Sequence, residues 1–339
     1  KTKPATSRPI CTRSMKTDAP PGIAGWPPPV LDPAGPFAGP IQTVAWVLFI
    51  MAAVVMVVVA VALGIALFGP RKWKRRVGGE RLIWIAGLVF PVVVLTGLLV
   101  YGLTTAARVA DAPKPGEMRV RVTGEMWWWR VAYLDGQGRE IVQDANEVHI
   151  PAGQPVVFEL ESADVIHSFW VPRLGGKTDM IPGRRNFMRL QADAPGTYGG
   201  QCAEYCGGPH ALMGLVVVAH APDDYAAWLA RQSRPAAVVP SAQGPLALID
   251  QGRNVFAASG CAACHTIRGT EANGLAGPDL THVGSRQTLG AGILPNNQGT
   301  MAGWISDSQS LKPGNRMPSY AVLSGQDVRA VAAYLESLK

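Results

Sequence analysis

The chain has 339 residues and little charge: Asp, Glu, Lys and Arg make up only 16% of it, against about 25% in ordinary soluble domains. Two stretches have none at all, residues 41–68 and 82–103, which run for 28 and 22 residues. Acidic residues are scarce at the start, with three Asp/Glu against eleven Lys/Arg in residues 1–103. No soluble segment concentrates cations on one face, so the net charge of +7 is no sign of a nucleic-acid-binding domain. Cysteine is limited to five residues, too few for a disulfide scaffold of this length. Internal repeats are absent. Hydrophobic residues reach 48%, which excludes a disordered chain.

Both uncharged stretches are long enough to cross a bilayer core of ~30 Å at ~1.5 Å per helical residue. Pro91 falls in the second and would kink it, as membrane helices tolerate. Between them, residues 71–81 hold six cations and one acid, and the positive-inside rule puts that loop in the cytoplasm. Both termini, and everything after residue 103, are then expected outside. No cleavable signal pattern stands at the start, so the first helix is expected to serve in targeting. Residues 1–40 are rich in Pro and Gly and read as an irregular tail.

After residue 103 the patterning changes. Residues 119–123, 127–131, 147–150, 156–160 and 214–218 are short β-branched and aromatic runs between turn signals, which predicts an all-β sandwich over 104–231 closed by a short helix at 224–231. A Pro/Ala linker follows at 232–245. Residues 246–339 return to helical periods, with one helix at 247–258. A last helix buries Val328, Val331, Ala332, Tyr334, Leu335 and Leu338 behind Ser324 as N-cap.

Four of the five cysteines fall in two close pairs; Cys11 stands alone. Cys261-Ala-Ala-Cys264-His265 is the c-type haem attachment pattern, with the two thiols forming thioethers and His265 binding iron. Met317 would supply a soft sixth ligand that raises the potential, suiting electron transfer; His282 is the rival for that position. This segment resembles a class I cytochrome c over about ninety residues. By that resemblance the carbonyl of Pro278, in Gly277-Pro278-Asp279-Leu280, orients His265.

The second pair lies in Cys202-Ala-Glu-Tyr-Cys206-Gly-Gly-Pro-His210-Ala-Leu-Met213. Thiolate, imidazole and thioether donors in one loop favour copper over hard cations or a plain zinc site. Two thiolates can bridge two coppers if a second histidine is available, and His167 in Ser162-Ala-Asp-Val-Ile-His167 supplies one. Residues 164–213 resemble the binuclear copper-A domain of cytochrome c oxidase subunit II, and with the cytochrome segment the resemblance covers nearly all of 41–339. It implies a cupredoxin-like sandwich in which Cys202 and Cys206 bridge the coppers and His167 and His210 are terminal ligands. Met213 and the Glu204 carbonyl would be the axial ligands. It further implies a magnesium or manganese ion between this chain and the catalytic subunit, held by the Glu204 side chain and supported by Asp179.

In Gly124-Glu-Met-Trp127-Trp128-Trp129, Trp127 resembles the family's point of electron entry, and strand alternation would set Trp127 and Trp129 on one face. Glu80, just before the second span, matches a glutamate that opens a proton pathway into the catalytic subunit, one place out of register. His149 and His220 match nothing and read as surface residues.

The expectation is a multidomain membrane protein: two transmembrane helices, an all-β cupredoxin-like domain and an all-α cytochrome c domain. It is expected to be the electron-input subunit of a proton-translocating terminal oxidase in a bacterial inner membrane, performing electron transfer only. Subunit I, which reduces dioxygen to water, and subunit III are the implied partners, with a cytochrome c or bc1-type complex as donor. The alternatives are the electron-input subunit of a copper-A nitric oxide reductase, and a membrane-anchored cytochrome without a catalytic partner.

Overall fold

The computed structural model describes residues 29–109, 114–237 and 246–339. Cys11, most of the expected tail (1–28) and the second part of the expected linker (238–245) lie outside the described residues.

Helix α1, Gly39–Phe68, begins with Pro40 in its first turn and stops before Gly69-Pro70. Its 30 residues measure about 45 Å, and none is buried against protein. The cationic loop forms a short helix, α2 (Arg71–Val77). The second span begins as α3 (Glu80–Trp84) and continues as α4 (Phe90–Val109). Between them, Ile85–Val89 winds as a π-helical turn, with the Phe90 N–H bonded to the Ile85 carbonyl. Pro91 explains this slip, because it has no N–H with which to continue the α ladder. The two apolar spans fall where the sequence places them, the second running six residues past the expected end.

The β domain is a two-sheet sandwich. Strands β1 (Met118–Glu125), β2 (Trp128–Leu134), β3 (Glu140–Ala145), β5 (Val156–Ser162) and β8 (Asn186–Leu190) form one sheet in the order β3-β2-β1-β5-β8. The other runs β4-β10-β9-β6-β7, from β4 (Glu147–Pro151), β6 (His167–Trp170), β7 (Thr178–Met180), β9 (Gly196–Cys202) and β10 (Gly214–His220). The pairs β1/β5 and β4/β10 are parallel. A single residue, Asn146, carries the chain from β3 in one sheet to β4 in the other. It adopts a left-handed φ of 62°, which asparagine tolerates best after glycine, and its side-chain oxygen accepts the Trp129 N–H. Trp129, Phe158, Phe169, Leu160 and Met213 fill the space between the sheets. Helix α5, Pro222–Gln232, closes one end by burying Tyr225 and Trp228.

The C-terminal domain consists of α6 (Leu246–Ala258), α7 (Gln298–Ser306), α8 (Ser308–Leu311) and α9 (Gly325–Ser337). Helices α6 and α9 cross closely at Gly252, where a Cβ would stand 2.0 Å from the Ala330 carbonyl oxygen. The expected stripe on α9 is buried, and the Ser324 side chain caps it by accepting from the Asp327 N–H.

One expectation needs correcting. Trp127 is not on a strand with Trp129: it lies in the β1–β2 turn, and β2 begins at Trp128. Within β2, Trp129 points into the core and Trp128 points out, where the Arg130 guanidinium stacks 4.8 Å from its ring centroid.

Candidate functional site

The strand ends bring the first donor set together. Cys202 ends β9 and Met213 immediately precedes β10; the Cys202 N–H bonds to the Met213 carbonyl at 2.9 Å. This closes the intervening loop back on itself and turns Cys206 and His210 inward. His167 begins β6, which pairs with β9. The Cys202 and Cys206 sulfurs are 3.8 Å apart, far beyond a disulfide bond of ~2.05 Å. His167 Nδ1 lies 3.9 Å from Cys202 Sγ, and His210 Nδ1 lies 3.4 Å from Cys206 Sγ. Met213 Sδ lies 3.8 Å from Cys206 Sγ, and the Glu204 carbonyl oxygen 3.2 Å from Cys202 Sγ. All six donors expected from the sequence thus converge, and the Glu204 carboxylate turns outward.

The electrostatics of this cluster call for cations. The Cys206 thiol, donating to Cys202, holds Cys202 well below the usual thiol range, while that same contact pushes Cys206 up. Only one of the two sulfurs ionises readily on its own. Both can be thiolates in this buried loop once metal charge offsets their repulsion, and the soft donor set fits copper.

Asp164 orients His167, accepting from Nε2–H at 2.8 Å so that Nδ1 presents its lone pair to the sulfurs. Burial pushes His167 down, but its bonds to Cys202 and Asp164 outweigh this and leave it raised. Burial pushes Asp164 up, and donation from His167 and from the Met126 and Val165 N–H groups brings it below the usual carboxylate range. The sequence marks His167 through its spacing motif; Asp164, three residues earlier, carries no comparable signal.

The second donor set lines a cavity of about 390 Å³ containing Cys261, Cys264, His265, Pro278 and Met317 among apolar Leu280, Leu289, Met301, Ile305 and Leu335. His265 Nδ1 donates to the Pro278 carbonyl at 2.8 Å, leaving Nε2 for a metal, and burial lowers its pKa. Gly277 is required here, since a Cβ would meet the His265 ring at 2.6 Å. The Met317 carbonyl accepts from Ser308 Oγ and Gln309 Nε2, and its N–H donates to Asn315 Oδ1. A covalently attached c-type haem fits this set: two thiols, an oriented imidazole and a fixed thioether around an apolar space. His282 lies elsewhere, bonded through Nε2 to the Arg234 carbonyl.

The two sites share a wall. Trp127 and Trp128 line the haem cavity, and the Trp127 indole N–H donates to the Cys206 carbonyl at 2.8 Å. Around them the domains are joined by polar contacts. Arg286 pairs with Asp144 at 2.7 Å, the Gln287 N–H bonds to Glu147, the Gly214 N–H to the Ala291 carbonyl, and Arg130 to the Leu275 carbonyl. Arg316, beside Met317, reaches Asp164 at 3.4 Å. Lys312 is buried in this seam and bonds to three carbonyls. In sequence it reads as an ordinary surface lysine, so no local signal marks it.

The remaining expected residues are dispersed. Asp179 and Glu204 approach each other through Lys177, whose ammonium donates to Asp179 at 3.0 Å and to Glu204 at 3.2 Å. Glu80 is exposed at the first turn of α3. His149 and His220 are not simple surface residues. His149 is 7% exposed, with one ring nitrogen 2.7 Å from His220 and the other 2.9 Å from Glu147.

Two family models match the chain: cytochrome c oxidase subunit II, periplasmic domain, over residues 130–220, and cytochrome c over residues 249–339. Cytochrome c oxidase subunit 2 of Alkalihalophilus pseudofirmus is 40% identical over 320 residues, covering 91% of this chain and 90% of the relative. The proteins of the same name from Bacillus sp. PS3 and Bacillus subtilis are 31% and 29% identical. They cover 79% and 80% of this chain, and 77% and 78% of their own lengths. With both donor sets assembled as these families imply, the chain belongs to the cytochrome c oxidase subunit II family, in the form that carries a cytochrome c domain, and is part of an oxidoreductase complex.

Proposed function

We propose that the chain is the electron-input subunit of a terminal oxidase, passing electrons from a c-type haem to a binuclear copper A and on to a catalytic subunit that reduces dioxygen. One observation carries this reading: a single indole, Trp127, lines the haem cavity and bonds to the backbone of a copper-loop cysteine. Cys261 and Cys264 would hold the haem covalently and His265 and Met317 its iron. Cys202, Cys206, His167, His210, Met213 and the Glu204 carbonyl would hold the coppers. Bound there, the two cofactors would supply one-electron chemistry, with the charge change shared over two metals at the copper site. The chain's own part is to fix the ligands, exclude water and hold the two sites against one indole. Trp127 therefore serves electrons arriving from the fused haem.

Subunits I and III would be the membrane partners, with a cytochrome c or a bc1-type complex as donor. The bacterial inner membrane would hold the two spans, with both soluble domains on the outer side. Glu80, at the cytoplasmic end of the second span, would open a proton path. The Asp179 and Glu204 carboxylates already share a cation in Lys177, and a magnesium or manganese ion there would draw its further ligands from subunit I.

The test is purification of the complex in mild detergent, followed by assays of oxygen and nitric oxide consumption with a reduced donor. Copurification of a haem-copper catalytic subunit with oxygen consumption is expected. Nitric oxide turnover without oxygen consumption would move the chain to a nitric oxide reductase, and isolation without any catalytic partner would leave a membrane-anchored cytochrome.

A further inference from the structure

Lys312 sits where α8 runs into the loop carrying Met317, and it is 2% exposed. Its ammonium donates to the Trp127 carbonyl at 2.7 Å, the Leu212 carbonyl at 2.8 Å and the Gly290 carbonyl at 2.9 Å. The first two belong to the copper domain: Trp127 is the indole shared by both sites, and Leu212 precedes Met213. Gly290 belongs to the cytochrome domain. Three carbonyls aimed at one point satisfy each other in no arrangement, and a neutral amine has two N–H groups for three acceptors. A lysine ammonium, with three donors, satisfies all of them. The contact exists only while the domains are docked; apart, the copper-side carbonyls and the ammonium return to water.

The same loop continues through Gly314, whose Cβ position would be 3.8 Å from the Trp127 ring, to Arg316 on Asp164 and then to Met317. The loop that supplies the haem's sixth ligand is thus the loop that grips the copper domain. We propose that Lys312 is a positioning residue for haem-to-copper electron transfer: held in place by the Gly290 carbonyl of its own domain, its two bonds to the Trp127 and Leu212 carbonyls lock the cytochrome domain onto the Trp127 face of the copper domain. The inference rests on the electron-relay reading above. Transfer falls steeply with distance, so a chain whose domains are held together by a tether alone would transfer only during its docked intervals. Lys312 keeps that interval long.

The test uses the full chain with haem and copper loaded, comparing wild type with Lys312→Met, which keeps the length of the side chain and removes its donors. Haem is reduced by a light pulse and copper reduction is followed. Lys312→Met is expected to slow the haem-to-copper step at least about tenfold, in proportion to the lost docked population. Direct reduction of copper by a small external reductant is expected to stay unchanged. Hydrogen exchange at the Gly214 amide, bonded to Ala291 across the seam, is expected to accelerate. With Lys312 gone, docking would rest on the remaining polar contacts, among them the Arg286–Asp144 pair and the Arg316–Asp164 pair, whose Arg316 end is exposed, so the slowed rate would fall further with added salt.

A variant that transfers within about twofold of wild type, with Gly214 equally protected, would overturn the assignment. So would loss of haem or copper from Lys312→Met, because the side chain touches no ligand atom and a positioning role predicts full cofactor content. Absence of haem-to-copper transfer in the wild type would be a different failure, removing the relay reading itself.

Discussion

Arg286→Met tests whether the domain seam is a designed contact. Asp144 and Arg286 are 6% exposed and mostly buried respectively, they meet at 2.7 Å, and their positions are 142 residues apart in sequence. Among the described residues, apart from Arg286, Asp144 accepts only from the N–H of its own neighbour Ala145. Removing the guanidinium strands a buried carboxylate, which costs about 3–5 kcal/mol in comparable pairs. The domain fold need not bear that cost, because the carboxylate regains water if the cytochrome domain swings away. The loss is therefore expected as undocking rather than unfolding. At ~1.4 kcal/mol per decade, it would shift the docking equilibrium by about a hundredfold or more. Hydrogen exchange at the Gln287 and Gly214 amides, both bonded across the seam, reads the change directly, alongside thermal unfolding of each domain. Asp144→Leu combined with Arg286→Met should recover most of the protection, since apolar replacement of a whole buried pair is close to neutral. Strict additivity of the two single changes, or full protection in Arg286→Met, would refute the reasoning.

Three further outcomes are expected. Asp164→Ala, which frees His167 Nε2, should weaken copper binding by about 10–100-fold in a chelator competition; unchanged affinity would remove the orienting role. Gly277→Val should force the His265 ring aside at a cost of about 1–3 kcal/mol, read as a lower melting temperature and an altered haem spectrum, and an unaltered spectrum would contradict the close contact. Burial and the neighbouring His149 hold His220 down at about 4, against an ordinary value near 6.5. The unfolded chain therefore binds more protons between these values, and stability should fall as pH drops from about 6.5 to 4. His220→Gln should flatten that part of the melting profile; a profile identical to wild type would contradict it.

Much of this was legible in the sequence, for physical reasons that differ between sites. The haem-attachment pattern and the Cys202 loop are local: Cys261, Cys264 and His265 are nearly adjacent, and Cys202 to Met213 spans one loop, so residue types at fixed spacing mark the candidate donors. The spans are legible because a bilayer demands long uncharged runs. Trp127 lies in a turn and not on the strand that alternation implies, because alternation says nothing about where a turn begins. His149 and His220 escaped because their partner is each other, across parallel strands 71 residues apart. Lys312 escaped for the same reason at longer range, 185 residues from Trp127: a lysine before Pro-Gly reads as a solvated turn until the other domain covers it.

The central claim is that one chain carries both centres of an electron relay. Metal and haem analysis of the purified protein tests it most directly, alongside the same analysis of Cys206→Ser. The account predicts about two coppers and one covalently bound haem per chain, with copper lost and haem retained in Cys206→Ser. A wild-type chain that binds haem but no copper would contradict it.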